Sequence, residues 1–373
     1  MIRKRYQKWM HDWEYRLTTR DTNRVVRPFE WGLEFVQNWP IADGHLTSTD
    51  PADIERYFHD INQRIVENSD SFYGYETPSD FRLEQRQVRV HGTGSNADPR
   101  DDLKYANQMG TFLRFTSPVK SGSLENDLVN ARWFPAKGNK AIVIMPQWNS
   151  DAISHNALGR LFNLLGVAAL RLSMPYHDIR MPGGLQRADY AVSANMGRTI
   201  DSARQGIIDV RCCLDWLNQQ GYTELGVMGT SLGSCYAFIA SAHDPRVKVN
   251  VFNHASTYFG DVVWTGQSTR HIREGIQPVL NRERLRNALL GISPMVYFDK
   301  FGRWPKKSLM IYTKYDQTFL PELSEVIAEE FRRRKLDTEI KALPCGHYTL
   351  GETPYKYVDA YYICRFVARA FNS

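Results

Sequence analysis

Gly229-Thr230-Ser231-Leu232-Gly233 sets a serine between glycines, one two residues before it and one two after. A serine hydroxyl at its free pKa is a weak nucleophile and attacks a carbonyl only when a neighbouring base takes its proton. Before the motif, Glu224-Leu225-Gly226-Val227-Met228 is a short apolar run of buried-strand type. After it, Ser234-Cys235-Tyr236-Ala237-Phe238-Ile239-Ala240-Ser241-Ala242 is small and apolar and suits a buried helix. Strand, G-x-S-x-G and helix together turn the pattern into a mechanism. The turn is too sharp for bulky neighbours and lifts the hydroxyl above the sheet edge. The helix N-terminus beneath it favours negative charge.

The base, and a carboxylate to orient it, must come from elsewhere in the chain. Asp316 follows the apolar run Leu309-Met310-Ile311-Tyr312, and His347 lies in Pro344-Cys345-Gly346-His347-Tyr348. Each falls on an expected strand-end loop, in the order serine, acid, histidine. Asp261 is a rival for the acid, and His177, His254 and His271 are rivals for the base. Chain order, and the freedom Gly346 gives its loop, favour His347. Acyl transfer also passes through an oxyanion that needs backbone N–H donors. Leu232 is the expected first donor. The second comes from Pro146-Gln147-Trp148-Asn149, with Trp148 preferred and Gln147 beside it. This loop lacks the common His-Gly pair.

The elements that must hold these residues read as an alternation. Strands are expected over 111–119, 128–134, 141–145, 167–172, 224–228, 247–252, 308–313 and 339–343. Helices are expected over 158–165, 196–219, 234–242, 321–334 and 355–371. Such alternation predicts an α/β fold, a mostly parallel sheet with helices on both faces and its site at the C-terminal strand ends. Residues 1–109 read as a helical N-terminal extension packed on the core, with helices over 5–17 and 28–39. Asp50-Pro51 is a third start signal, an N-cap followed by proline. Residues 92–102 read as a loop. Within the domain 110–373, residues 257–306 form a lid-like helical insertion. Its Phe259, Trp264, Tyr297 and Trp304 can roof an apolar pocket or pack the insertion onto the sheet, and the sequence leaves both open.

Composition narrows the class. A 42% hydrophobic content supplies a large core, while charges interrupt every apolar run short of membrane-spanning length. The basic start, Arg3, Lys4, Arg5, Lys8, Arg16, Arg20, Arg24 and Arg27, reads as the solvated face of a helix. A nucleic-acid or membrane role would need these residues on one face with exposed aromatics between them, so no nucleic-acid partner is expected and membrane-surface association is the lesser alternative. No apolar h-region follows the basic start. The five cysteines, among them the adjacent Cys212 and Cys213, read as buried hydrophobes in a reducing, cytoplasmic setting.

Over residues 110–373 the sequence resembles the α/β-hydrolase superfamily, and within it a bacterial branch of abhydrolase-domain and dienelactone-hydrolase-like serine esterases. The resemblance rests on Pro146-Gln147-Trp148-Asn149, on Leu172-Ser173-Met174-Pro175-Tyr176-His177-Asp178-Ile179-Arg180, on Gly229 to Ser234 and on Pro344 to Tyr348. It implies Ser231 as nucleophile, Asp316 as acid and His347 as base, in hydrolysis of a small-molecule or lipid-like carboxylic ester without metal or cofactor. His177 and Arg180 can line the site or bind a substrate acid group, and a structural ion pair with Asp178 is the competing role. Serine at the elbow, where a dehalogenase or epoxide hydrolase carries aspartate, argues against those reactions. Thioester hydrolysis, acyl transfer and a non-catalytic binding scaffold remain as alternatives.

Overall fold

The structure, a computed structural model, describes residues 2–42, 46, 48–89 and 108–372. The expected loop 92–102 lies outside them. The strands are β1 (Arg82–Gln87), β2 (Met109–Thr116), β3 (Leu128–Phe134), β4 (Lys140–Met145), β5 (Ala168–Leu172), β6 (Glu224–Thr230), β7 (Val247–Asn253), β8 (Lys307–Thr313) and β9 (Thr338–Leu343). They form one sheet in the order β1-β2-β3-β5-β4-β6-β7-β8-β9. Pairing is antiparallel from β1 through β3 to β5, and parallel from β5 to β9.

The principal helices are α1 (Ile2–Thr18), α2 (Pro51–Glu67), α3 (Asn156–Leu164), α4 (Met196–Gln219), α5 (Leu232–Ala242), α6 (Phe259–Thr265), α7 (Arg270–Ile276), α8 (Arg282–Ala288), α9 (Pro321–Arg333) and α10 (Tyr355–Ala370). The start of α2 is as its sequence signals: the Asp50 carboxylate accepts from Ala52 N–H at 2.8 Å, ahead of Pro51. Apolar strands give the sheet two cores. In β4, Ala141, Val143 and Met145 face one core with α4 and α5, while Ile142 and Ile144 face the other with α3 and α10. Burial on both faces is what a parallel sheet covered by helices requires.

Two expectations about the N-terminal region fail. The stretch 28–39 is helical only over Leu33–Val36. Gly32 before it is left-handed at φ 70°, and Glu30 is tied in extended form to the start of α4, donating to Ala194 and accepting from Met196. Aromatic spacing alone could not reveal that tether. Within the supposedly helical stretch 1–109, β1 joins the sheet beside β2. Its residues Arg-Leu-Glu-Gln-Arg-Gln are mostly polar because it is an edge strand with little to bury.

Candidate active site

The fold gathers the candidate residues at the C-terminal edge of the parallel strands. β6 ends at Thr230 and α5 begins at Leu232, so Ser231 alone makes the turn, at φ 56° and ψ −118°. A non-glycine residue in that region is strained and persists only where its surroundings impose it. Here Ser231 N–H donates to the Asn253 carbonyl at 2.8 Å, and the neighbouring glycines allow the approach. A Cβ on Gly233 would overlap the carbonyl oxygens of Met145 and Pro146, and one on Gly229 would overlap that of Gly233. The elbow therefore sits directly against the end of β4 and the loop after it.

Asp316 and His347 reach Ser231 from the ends of β8 and β9. Ser231 Oγ lies 2.9 Å from His347 Nε2, and His347 Nδ1 lies 2.9 Å from Asp316 Oδ2. With Nδ1–H donating to the carboxylate, Nε2 presents its lone pair to the serine hydroxyl. Asp316 is fixed in turn by the N–H groups of Thr318 and Phe319, at 2.8 and 2.7 Å on Oδ1. Burial pushes its carboxyl pKa up, but His347 and His254 overcome that and hold it well below the usual carboxylate range. Burial pushes His347 down, yet the Asp316 carboxylate, with Glu14 beyond it, carries its pKa above the ordinary histidine value.

Trp148, Ser231, Leu232, Phe259, Val262 and Phe319 line one largely apolar pocket. Gln147 does not line it. Leu232 opens α5, where the first N–H groups have no intrahelical acceptor. The Trp148 ring is held on several sides. Its indole N–H donates to the Ala188 carbonyl at 2.9 Å, His271 stacks parallel at 6.0 Å and the Arg187 guanidinium lies over it. Of the four aromatics singled out in the insertion, Phe259 lines the pocket. Tyr297 instead packs on Tyr73 and His243, and Trp304 carries Lys306 on its face.

The remaining candidates divide sharply. His177 and Arg180, expected as possible substrate contacts, are both fully buried. His177 Nδ1 lies 2.7 Å from the Pro175 carbonyl, and Nε2 accepts from Asn149 N–H at 2.9 Å. Burial takes its pKa down to about 3. It braces the loop carrying Trp148 and does not line the pocket beside Ser231. Arg180 binds the Asn126 and Ser173 carbonyls and pairs with Asp209 of α4 at 2.8 Å. Asp178, its expected partner, answers Arg171 of β5 instead. Asp261, the rival acid, is held in the insertion by Arg282 and Arg286. Each of these charged residues is paired with a partner distant in sequence or on another element, Arg180, Asp178 and Asp261 being buried besides, and periodicity displays none of this.

Two residues at the site were not foreseen in their roles. His254, weighed only as a base, puts Nδ1 3.2 Å from Asp316 Oδ2, and its ring lies 4.0 Å from that of His347. Burial, then the charge of His347, takes its pKa to about 4. His254, Asp316 and His347 bring ligand-type atoms within 4.8 Å of one another, the one such grouping among the described residues. A cation there would take the carboxylate oxygen that His347 uses. The second residue is Glu14 of α1, whose fully buried carboxylate accepts from Tyr348 and Thr349 N–H groups, each at 2.9 Å. Its one sequence signal is a glutamate on the apolar stripe of α1.

The architecture can now be compared with solved structures. No protein-family model and no curated protein matches the sequence. Acetyl xylan esterase 1 from Thermoanaerobacterium sp. JW/SL YS485 superposes with a TM-score of 0.55 at 15% identity, covering 92% of this chain and 99% of that one. Acetyl xylan esterase from Paenibacillus sp. R4 gives 0.54 at 13% identity, covering 90% and 98%. The Pyrococcus furiosus esterase Pf2001 gives 0.50 at 15% identity, covering 76% and 98%. The chain has the α/β-hydrolase fold. Among the described residues, no helix is long and apolar enough to cross a membrane.

Proposed function

We propose that this protein is a serine hydrolase of carboxylic esters. The observation that carries the reading is the relay from Ser231 through His347 to Asp316, 2.9 Å at each step, with Ser231 lining an apolar pocket. Fold neighbours named as esterases support it. Ser231 Oγ attacks the ester carbonyl carbon while its proton passes to His347 Nε2. The oxyanion so formed is held by the N–H groups of Leu232 and Trp148. Collapse breaks the bond to the alkoxy oxygen, which leaves as the alcohol with the proton from His347. Water, deprotonated by the same nitrogen, then cleaves the acyl-enzyme to the carboxylic acid and free Ser231. Asp316 keeps the imidazole in the required tautomer throughout. Residues 1–109 serve in this reading as an extension that packs on the hydrolase domain and lends β1 to its sheet, and the five free cysteines fit a reducing, cytoplasmic setting.

The test is labelling by a fluorophosphonate, followed by p-nitrophenyl esters of graded chain length. Wild type should label and Ser231→Ala should not. A folded wild type that resists the probe would end the reading. A second reading, hydrolysis of lipid esters at an anionic membrane, is favoured by α1, which exposes Trp9 and Tyr15 among Lys4, Arg5, Lys8 and Arg16. Failure to bind anionic vesicles at both low and high salt would remove it.

A further inference from the structure

The helix α1 lies outside the α/β core, yet it grips the loop that carries His347. Tyr6, Met10, Glu14 and Thr18 recur every four residues and so share one face. Tyr6 hydroxyl donates to the Pro344 carbonyl, and the Thr349 hydroxyl meets Met10 sulfur at 3.5 Å. Between them, Glu14 Oε1 accepts from Tyr348 N–H and Oε2 from Thr349 N–H, and the Thr18 hydroxyl stands 3.3 Å from Oε1. A Cβ on Gly346 would overlap the Glu14 carboxyl, so glycine there is what lets the carboxylate lie under the loop. The same helix touches the other loop too, where the Gln317 amide donates to the His11 carbonyl at 2.9 Å.

Glu14 is fully buried, and no lysine or arginine pairs with it among the described residues. A buried carboxylate without a cation is costly unless its surroundings supply donors or a nearby charge. The donors here are the two peptide N–H groups that flank His347 on its C-terminal side. Burial, and after it the Asp316 carboxylate, push the Glu14 pKa up; the favourable nearby charge is the imidazolium, which forms when His347 takes the proton from Ser231. We infer that Glu14 is a positioning residue for His347, holding the imidazole against Ser231 through the Tyr348 and Thr349 backbone and stabilising its protonated form. The inference rests on the serine-hydrolase reading. The charge acts among a small set of groups. Asp316 and His254 face His347 from the ends of β8 and β7. Cys345, Tyr348 and Tyr6 lie close by, with Arg24 and Asp21 acting on Tyr348. Asp316 and Glu14 both raise the His347 pKa.

The two contributions separate in two variants of the full chain. In Glu14→Gln the amide oxygen, placed at the Oε2 position 2.9 Å from Thr349 N and 3.2 Å from Tyr348 N, still accepts while the charge is gone. The acid limb of kcat/KM for p-nitrophenyl acetate should then move to lower pH by roughly half a unit, with KM unchanged. In Glu14→Ala the loop loses its anchor, and kcat should fall about 10- to 100-fold, again with little change in KM. If Glu14→Ala does not fold, the limb shift in Glu14→Gln decides alone. An unshifted limb in folded Glu14→Gln overturns the inference, as does wild-type kcat in folded Glu14→Ala. Because wild type is labelled with fluorophosphonate in parallel, a failure of the underlying reading shows as an unlabelled wild type, whereas failure of the Glu14 inference leaves wild type labelled.

Discussion

Two histidines sit on loops after strand ends, and they have opposite fates. His177 follows β5 in a stretch read as a possible substrate contact, and His347 follows β9 in the stretch read as carrying the base. His177 has both ring nitrogens engaged by backbone, one on the Pro175 carbonyl and the other on Asn149 N–H. Burial takes its pKa to about 3, leaving it neutral. His347 has one nitrogen on a carboxylate and the other on a hydroxyl, and its pKa rises. The difference lies in the second nitrogen. A histidine that faces only peptide groups is a strut; one that faces a carboxylate and a hydroxyl can move a proton.

The contrast can be broken most forcefully at His347. Changing it to alanine should lower kcat for p-nitrophenyl acetate by about 10⁶ while leaving thermal stability near wild type. Substantial residual turnover would show that another base, His254 first, can serve. Asp316→Asn should cost about 10⁴ in kcat, since the amide favours the wrong His347 tautomer. In wild type the raised His347 pKa means that the base is protonated, and idle, up to a higher pH than usual. Activity should therefore fall as pH drops through a midpoint above about 6.5, and a lower midpoint in the pH profile would contradict the assigned environment. His177→Ala should do the reverse of His347→Ala. It removes the imidazole that joins the Asn149 N–H to the Pro175 carbonyl, so stability should drop by about 1–3 kcal/mol in denaturant melts while turnover falls only about tenfold. Smallest is Asp261→Asn, where loss of ion pairs with half-exposed arginines should change stability by about 1 kcal/mol or less. Its turnover should stay near wild type, and a large loss would reinstate Asp261 as the acid.

How much of this the sequence carried depends on where the information lies. Ser231, Asp316 and His347 could be singled out because they lie just past the ends of β6, β8 and β9, in an order that chemistry and topology share, and the structure brings the three side chains together. The fold was legible because parallel strands buried on both faces are continuous apolar runs. What escaped depends on contacts between distant segments. β1 is polar because an edge strand has no core to face. The stretch 28–39 shows helix-like aromatic spacing that the Glu30 tether to α4 overrides. His177 and Arg180 share a motif with charged neighbours, and nothing in the sequence says that Arg180 turns to Asp209 while Asp178 turns to Arg171. Glu14 was invisible, an acidic residue in a segment without a catalytic motif.

The grip of α1 on the His347 loop ties together residues 334 positions apart. Contacts of that span are among the last to be rewarded as a chain folds, because a long loop must close first. In the proposed hydrolase, turnover would therefore report completed assembly: a molecule with its sheet formed but α1 undocked has Ser231, Asp316 and His347 without the contacts that hold the His347 loop.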